Sequence, residues 1–261
     1  MKKLLLFLVL LLSFGGKAYS YNKTYAVIIG VTDYLDDDLD LQFPAKDAIF
    51  FKSFLMSKEG GSVPSENIVL LLDSQANKKN IIEKSKALFA KAKKNDRVFF
   101  YFSGHGGKGF FAPYDITYYG DNMLTYNEVK EIFRCAKCNT KLLFADACFS
   151  GGIKGNRGTS STTQNSDKKQ QIAIMLSSQY DEYSNEIIGG GIDQGLFTYY
   201  IIEGLSGKAN RDNSKYITIE ELYTYVYKKV AAKAAMLNPP AEQHPQLFGN
   251  FDLRLIVGKV L

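Results

Sequence analysis

The sequence predicts an α/β fold: a mostly parallel central β-sheet flanked by helices on both faces. Three observations predict it. Short apolar, β-branched runs recur along the chain, stretches with helical spacing or capping signals separate them, and such alternation implies parallel β-α-β units with right-handed crossovers. The 261 residues are 46% hydrophobic and 13% aromatic, enough apolar material for one well-cored unit rather than a disordered chain.

The first twenty residues, MKKLLLFLVLLLSFGGKAYS, set Lys2 and Lys3 before an apolar run from Leu4 to Phe14 and small residues at Ala18 and Ser20. This is the layout of a secretory signal peptide over 1–20, cleaved before about Tyr21. A run of that length is short of the ~20 residues that span a bilayer, and no later stretch is long and apolar enough. The expected product is a secreted or periplasmic chain, 21–261, with no membrane partner after cleavage.

Tyr25–Val31 (YAVIIGV) reads as a strand buried on both faces, and Pro44 is placed to begin a helix over Ala45–Met56. Ile68–Leu72 is the next strand, and Lys78–Ala92 an amphipathic helix. Arg97–Phe102 is a third strand, leading into Ser103-Gly-His105-Gly106. Thr125-Tyr-Asn-Glu128 forms a capping box for a helix reaching about Phe133. Lys141–Ala145 is a fourth strand, leading into Asp146-Ala-Cys148. From Gly151 to Gln171 the chain turns polar, which predicts a flexible loop open to proteolysis. Beyond it come a fifth strand, Ile172–Ser178, and helices over Phe197–Gly204 and Ile219–Ala235, the second opened by a Thr218–Glu221 capping box. No internal repeat is present.

The net charge of +5 includes Lys2, Lys3 and Lys17, so only +2 stays with the mature chain, and nothing in it argues for nucleic acid. The lysines of Lys78–Lys94 read as a solvated helix face. Three cysteines leave one thiol without an intramolecular partner. Cys135-Ala-Lys-Cys138 either closes a small disulfide or stays reduced; without a second CxxC or a histidine pair nearby it does not suggest zinc.

Cys148 and His105 carry the chemistry. A thiol is mostly protonated at neutral pH, the thiolate is the species that attacks a carbonyl, and a neighbouring base is therefore required. Only two histidines exist, and His105 alone follows a buried strand into a glycine turn. The 43 residues between them suffice for one β-α-β crossover. Sites in such sheets lie beyond the carboxyl ends of the strands, so the two side chains should share one rim.

Ser103-Gly-His105-Gly106 and Asp146-Ala-Cys148-Phe-Ser-Gly151, each closing an apolar strand, resemble the caspase-like cysteine peptidases, above all the metacaspase and bacterial caspase-like branch. The likeness runs from YAVIIGV through Pro44-Ala-Lys-Asp47-Ala48 to Phe197-Thr198 and Glu220-Glu221-Leu222, nearly the whole mature chain. It implies a caspase-haemoglobinase-like fold and peptide hydrolysis through an acyl-thioester. Cys148 would be the nucleophile and His105 the general base and acid, acting mainly on the leaving amine. Backbone N–H groups of Gly106 and Cys148 would hold the oxyanion, with Gly106 letting the main chain approach substrate.

Asp146 lies two residues before the thiol, on the same side of its strand, and Asp47 begins a helix expected at the same rim. In the metacaspase pattern the positions of Asp47, Ser103 and Asp146 line the pocket for the residue before the scissile bond. Two carboxylates there would attract a basic side chain and repel an acidic one, so cleavage after Arg or Lys is expected. Asp47 also suits a helix N-terminus as a simple charge complement. Lys154, Arg157, Lys168 and Lys169 follow the nucleophile, so such an enzyme could cut its own loop.

This chemistry requires no cofactor. Some metacaspases need calcium, but the one stretch reminiscent of a calcium loop, Asn210–Glu221, has Lys215 where glycine belongs and Asn210 in place of aspartate, and reads as a surface turn entering a helix. His244, in Gln243-His-Pro245-Gln246, is expected to be structural or at the cleft's edge. Rival readings are a protease similar to clostripain or legumain with another specificity, and a silent caspase-fold protein that only binds partners. An esterase would need a Gly-x-Ser-x-Gly elbow, which is absent from the sequence.

Overall fold

The computed structural model describes residues 21–117, 119–148, 170–187 and 193–260. The expected signal peptide, and all but the last two residues of the 151–171 loop, lie outside the described residues. In chain order the strands are β1 (Thr24–Gly30), β2 (Ile68–Leu72), β3 (Arg97–Ser103), β4 (Gly106–Gly107), β5 (Phe110–Phe111), β6 (Leu124–Thr125), β7 (Thr140–Asp146), β8 (Gln171–Leu176), β9 (Glu186–Ile187), β10 (Gln194–Gly195), β11 (Tyr216–Thr218), β12 (Gln246–Asn250) and β13 (Ile256–Lys259). The helices are α1 (Pro44–Met56), α2 (Lys78–Phe89), α3 (Tyr126–Arg134), α4 (Leu196–Glu203) and α5 (Ile219–Ala234).

The main sheet runs β12-β8-β7-β3-β1-β2. Its first five strands in sequence pair in parallel, and β12 closes one edge antiparallel to β8. The apolar runs are continuous because both faces are covered. Val27, Ile29, Phe100 and Phe102 pack under α2 and α3, while Ala26, Ile28, Phe99 and Tyr101 pack under α1, α4 and α5. After β1 the chain first adds β2 on one side and then β3 on the other. The crevice at the carboxyl ends of β1 and β3 is therefore the switch point where such sheets bind ligands.

Both predicted capping boxes form, Thr125 with Glu128 and Thr218 with Glu221. The helix expected over Lys78–Ala92 ends earlier, at Phe89. There Lys91 and Ala92 tighten into i→i+3 bonds, and the Asp96 carboxylate accepts the Lys93 N–H, turning the chain into β3. The edge strand β12 was not expected from its sequence, because QLFGN has neither β-branched residues nor alternation. It pairs through a glycine, Gly249, whose φ of +127° and close approach to the Ile172 carbonyl leave no room for a side chain. In the Asn210–Glu221 stretch, one oxygen of Glu221 accepts the Arg211 N–H and the other caps Thr218.

Candidate active site

The register of the sheet assembles the site. Ser103 of β3 lies directly beside Asp146 of β7, so His105 and Cys148, each two residues further on, emerge side by side on one rim. Gly104, between strand and imidazole, has φ +149° and donates its N–H to the Asp146 carbonyl. A Cβ there would sit 2.7 Å from the Tyr34 hydroxyl, so only glycine lets the chain turn at this point.

His105 is half-buried and held from the segment between β1 and α1. Its backbone N–H donates to the Tyr34 hydroxyl at 2.7 Å, its ring lies 5.2 Å from the Tyr34 ring, and its Nε2 sits 2.8 Å from the Leu39 carbonyl. A carbonyl only accepts, so Nε2 carries the proton and Nδ1 is left as the basic nitrogen. Burial, outweighing that hydrogen bond, pushes the imidazole pKa down. Burial also pushes the Cys148 thiol up, with Asp146 and Glu186 adding to the rise, although the Ser184 N–H donates to Sγ at 3.3 Å and opposes it. Both shifts favour the uncharged forms of the thiol and the imidazole.

Gly106 departs from its expected reason. A Cβ there would meet the Cys148 carbonyl at 2.9 Å and the Ala147 Cβ at 3.2 Å, so the close approach that requires glycine is to the protein's own thiol-bearing segment. Ala112 donates to the His105 carbonyl, which puts Gly106 opposite Phe111 at a non-hydrogen-bonded position and turns its N–H away from β5. That N–H remains an available donor for an oxyanion.

Asp47, Ser103 and Asp146 come together as the sequence suggested, and all three are buried. The Ser103 hydroxyl donates to Asp47 Oδ2 at 3.1 Å, and the Gly195 N–H donates to Oδ1 at 3.0 Å. Asp146 Oδ2 accepts from both the N–H (3.0 Å) and the hydroxyl (2.7 Å) of Thr198, and Oδ1 accepts from the Ser184 hydroxyl. Gly195 separates the two carboxylates: a Cβ there would lie 2.4 Å from Asp146 Oδ2 and 2.7 Å from Asp47 Oδ2. Burial raises both pKa values, most strongly for Asp47, where the charge of Asp146 adds to it. A third carboxylate, Glu186, is also raised by burial and accepts the Phe43 N–H at 3.3 Å. Among the described residues the donors to Asp47 and Asp146 are hydroxyls and backbone N–H groups, and the ion pairs lie elsewhere. The pair is thus acidic and, among the described residues, has no cationic partner.

Tyr34, the Leu39 carbonyl, Ser184 and Glu186 have no signature in local sequence, whereas Thr198 stands in the Phe197-Thr198 stretch of the resemblance. The polar string Glu182-Tyr-Ser-Asn-Glu186 does follow a strand that ends at the same rim, and that position was the available signal. His244 lies outside this cluster, its Nδ1 2.5 Å from Glu182. Cys135 and Cys138 are both free, with their thiols on the Glu131 and Thr140 carbonyls.

A family model described as the caspase domain matches residues 23–254. Among curated proteins, a probable protease of a Desulfuromonadales bacterium is 26% identical over 265 residues, covering 87% of this chain and 32% of its own length. Metacaspase-1 of Schizosaccharomyces pombe is 29% identical over 53% of this chain and 37% of its own length. Metacaspase-1 of Candida albicans is 32% identical over 37% of this chain and 23% of its own length. The chain thus spans about a third of the length of the curated relatives it matches. The crystal structure of a Geobacter sulfurreducens protein superposes with a TM-score of 0.60 over 89% of this chain and 97% of that one; at 16% identity the likeness concerns the fold alone.

Proposed function

Because the chain belongs to the family of caspase-domain peptidases, we propose that it is an exported cysteine endopeptidase that cleaves peptide bonds after arginine or lysine. The observation that carries this reading is the parallel register of β3 and β7, which brings imidazole, thiol and a buried pair of carboxylates, without a cationic partner among the described residues, to one rim.

In this reading a basic side chain enters beside Gly195 and supplies the positive charge that Asp47 and Asp146 lack, an interaction that favours arginine or lysine and rejects acidic residues. Seating the cation brings the scissile carbonyl over Cys148 and closes the thiol off from water. The Sγ proton passes to Nδ1 of His105 as sulfur attacks the carbonyl carbon, and a tetrahedral oxyanion forms against the N–H groups of Gly106 and Cys148. His105 then protonates the leaving amine, with its ring angle fixed by Leu39 and Tyr34. A water attacks the resulting acyl-thioester and restores the thiol. Two carboxylates sharing a buried pocket ionise reluctantly, so the cation must displace a proton from the pair at low pH.

Export rests on the signal-like segment 1–20 and self-cleavage on the basic residues within 151–171. Calcium dependence has no located site. The test is a panel of reporter peptides differing only before the cut (Arg, Lys, Asn, Asp and norleucine), with and without calcium, on the wild type and Cys148→Ala. Hydrolysis of Arg or Lys reporters, reduced at least about a thousandfold in a folded Cys148→Ala variant, is expected. Preference for Asn or Asp, or activity surviving in Cys148→Ala, would overturn it. Mass and N-terminal sequence of the same preparation report whether the chain begins near Tyr21 and whether the loop is cut; an intact chain that cleaves the Arg reporter rules out obligatory self-processing.

A further inference from the structure

The segment Glu182–Ile187 lies between β8 and the acidic pocket, and two side chains from beyond α5 hold it. Gln243 is completely buried: its Nε2 donates to the Ser177 carbonyl at 3.1 Å and to the Ser184 hydroxyl at 3.2 Å, while its Oε1 accepts from the N–H (2.9 Å) and the side-chain amide (3.1 Å) of Asn185. His244 next to it grips Glu182 through backbone and ring. Ser177, also completely buried, bonds through its hydroxyl to both the N–H and the carbonyl of Ala147, directly before the thiol.

We propose that Ser184, clamped by Gln243, is a positioning and specificity-determining residue that fixes the thiol of Cys148 through its backbone N–H and the carboxylate of Asp146 through its hydroxyl. The proposal rests on the basic-residue reading only for its second half. One residue thereby sets the distance between the nucleophile and the group that anchors the substrate, and productive attack depends on that spacing to within about an ångström.

The two contacts are separable. Ser184→Ala keeps the N–H on Sγ and removes the hydroxyl. Among the described residues Asp146 then retains only Thr198 as a donor, while Asp47 from α1, Glu186 from β9, Tyr101 from β3 and Cys148 beyond its own strand still face it. An ionised Asp146 becomes harder to maintain, so the variant binds basic substrates more weakly, and increasingly so toward acid pH. Removing the Gln243 amide instead loosens the whole segment, including the N–H on Sγ. The groups facing the thiol are then Asp146, Glu186 and Tyr34, with His105 following the neighbouring strand.

The experiment combines reporter kinetics with peptide-resolved alkylation of Cys148 by iodoacetamide as a function of pH. It uses the wild type, Ser184→Ala, Ser184→Thr and Gln243→Met, each checked for cooperative thermal unfolding. Ser184→Ala is expected to raise KM for the Arg reporter about tenfold, with the loss confined to KM, absent for a norleucine reporter and restored by Ser184→Thr. Gln243→Met is expected to lower the Cys148 alkylation rate at pH 7 about threefold or more. If it does not fold, Gln243→Asn, one methylene too short to reach Ser184, replaces it. Equal losses on both reporters in Ser184→Ala, or a wild-type alkylation profile in a folded Gln243 variant, would overturn the proposal. Should the wild type prefer the norleucine reporter to Arg, the basic-residue reading fails, and the alkylation profile of the Gln243 variant still decides whether the clamp exists.

Discussion

Asp47 is the residue at which function opposes stability most directly. Its carboxylate is buried against that of Asp146 and is held well above the usual carboxylate range. Asp47→Asn removes that repulsion while still offering an acceptor to the Gly195 N–H. The unfolding midpoint at pH 7 should rise by about 2–4 °C, corresponding to ~1 kcal/mol, while KM for the Arg reporter should rise at least about tenfold. Calorimetry and steady-state kinetics on one preparation check both. Cys148, His105, Asp47, Ser103 and Asp146 were legible in the sequence because each stands at a strand end or helix start, where position along the chain fixes position on the rim. Tyr34, Leu39 and Ser184 were not, because they act through a backbone carbonyl, a backbone N–H or a hydroxyl brought in from 36 to 71 residues away. At Gly106 the Cys148 carbonyl leaves no room for a side chain, a contact that local sequence does not show.

Helix α4 shows how an element can be shaped by the pocket it closes. Its N-cap, Gly195, and its third residue, Thr198, present N–H groups to Asp47 and Asp146, so the positive end of the helix faces both carboxylates. Gly195→Ala would insert a methyl between them, and both buried, hydrogen-bonded carboxylates would have to shift to make room. On the proposed specificity, the expected result is loss of preference for the Arg over the norleucine reporter and a lower unfolding midpoint, read from the reporter panel and a thermal melt. The buried strands and both capping boxes could be read from sequence, since continuous apolar runs and Thr-x-x-Glu spacing are local signals. Strand β12 could not, because its pairing depends on β8, some seventy residues earlier, and not on its own five residues.

At the scale of the whole molecule, the buried acidic pair gives stability a recognisable pH dependence. A folded-state carboxyl pKa above the unfolded value means that the native state holds its proton more tightly. The pair's contribution is therefore most favourable in acid and is lost as pH rises from the ordinary carboxylate range through the raised one. The difference in unfolding midpoint between Asp47→Asn and the wild type should accordingly grow from about pH 4 to about pH 8. The fold was legible because strand order follows from right-handed crossovers and one reversal after β2. A last consequence follows from the burial that pushes the Cys148 thiol up. Peroxide attacks thiolates far faster than thiols, so a sulfur that stays protonated until a peptide arrives resists conversion to sulfenic acid. Such a protein would keep its reactive atom intact while idle, exposing it to oxidative loss only once a peptide engages the thiol.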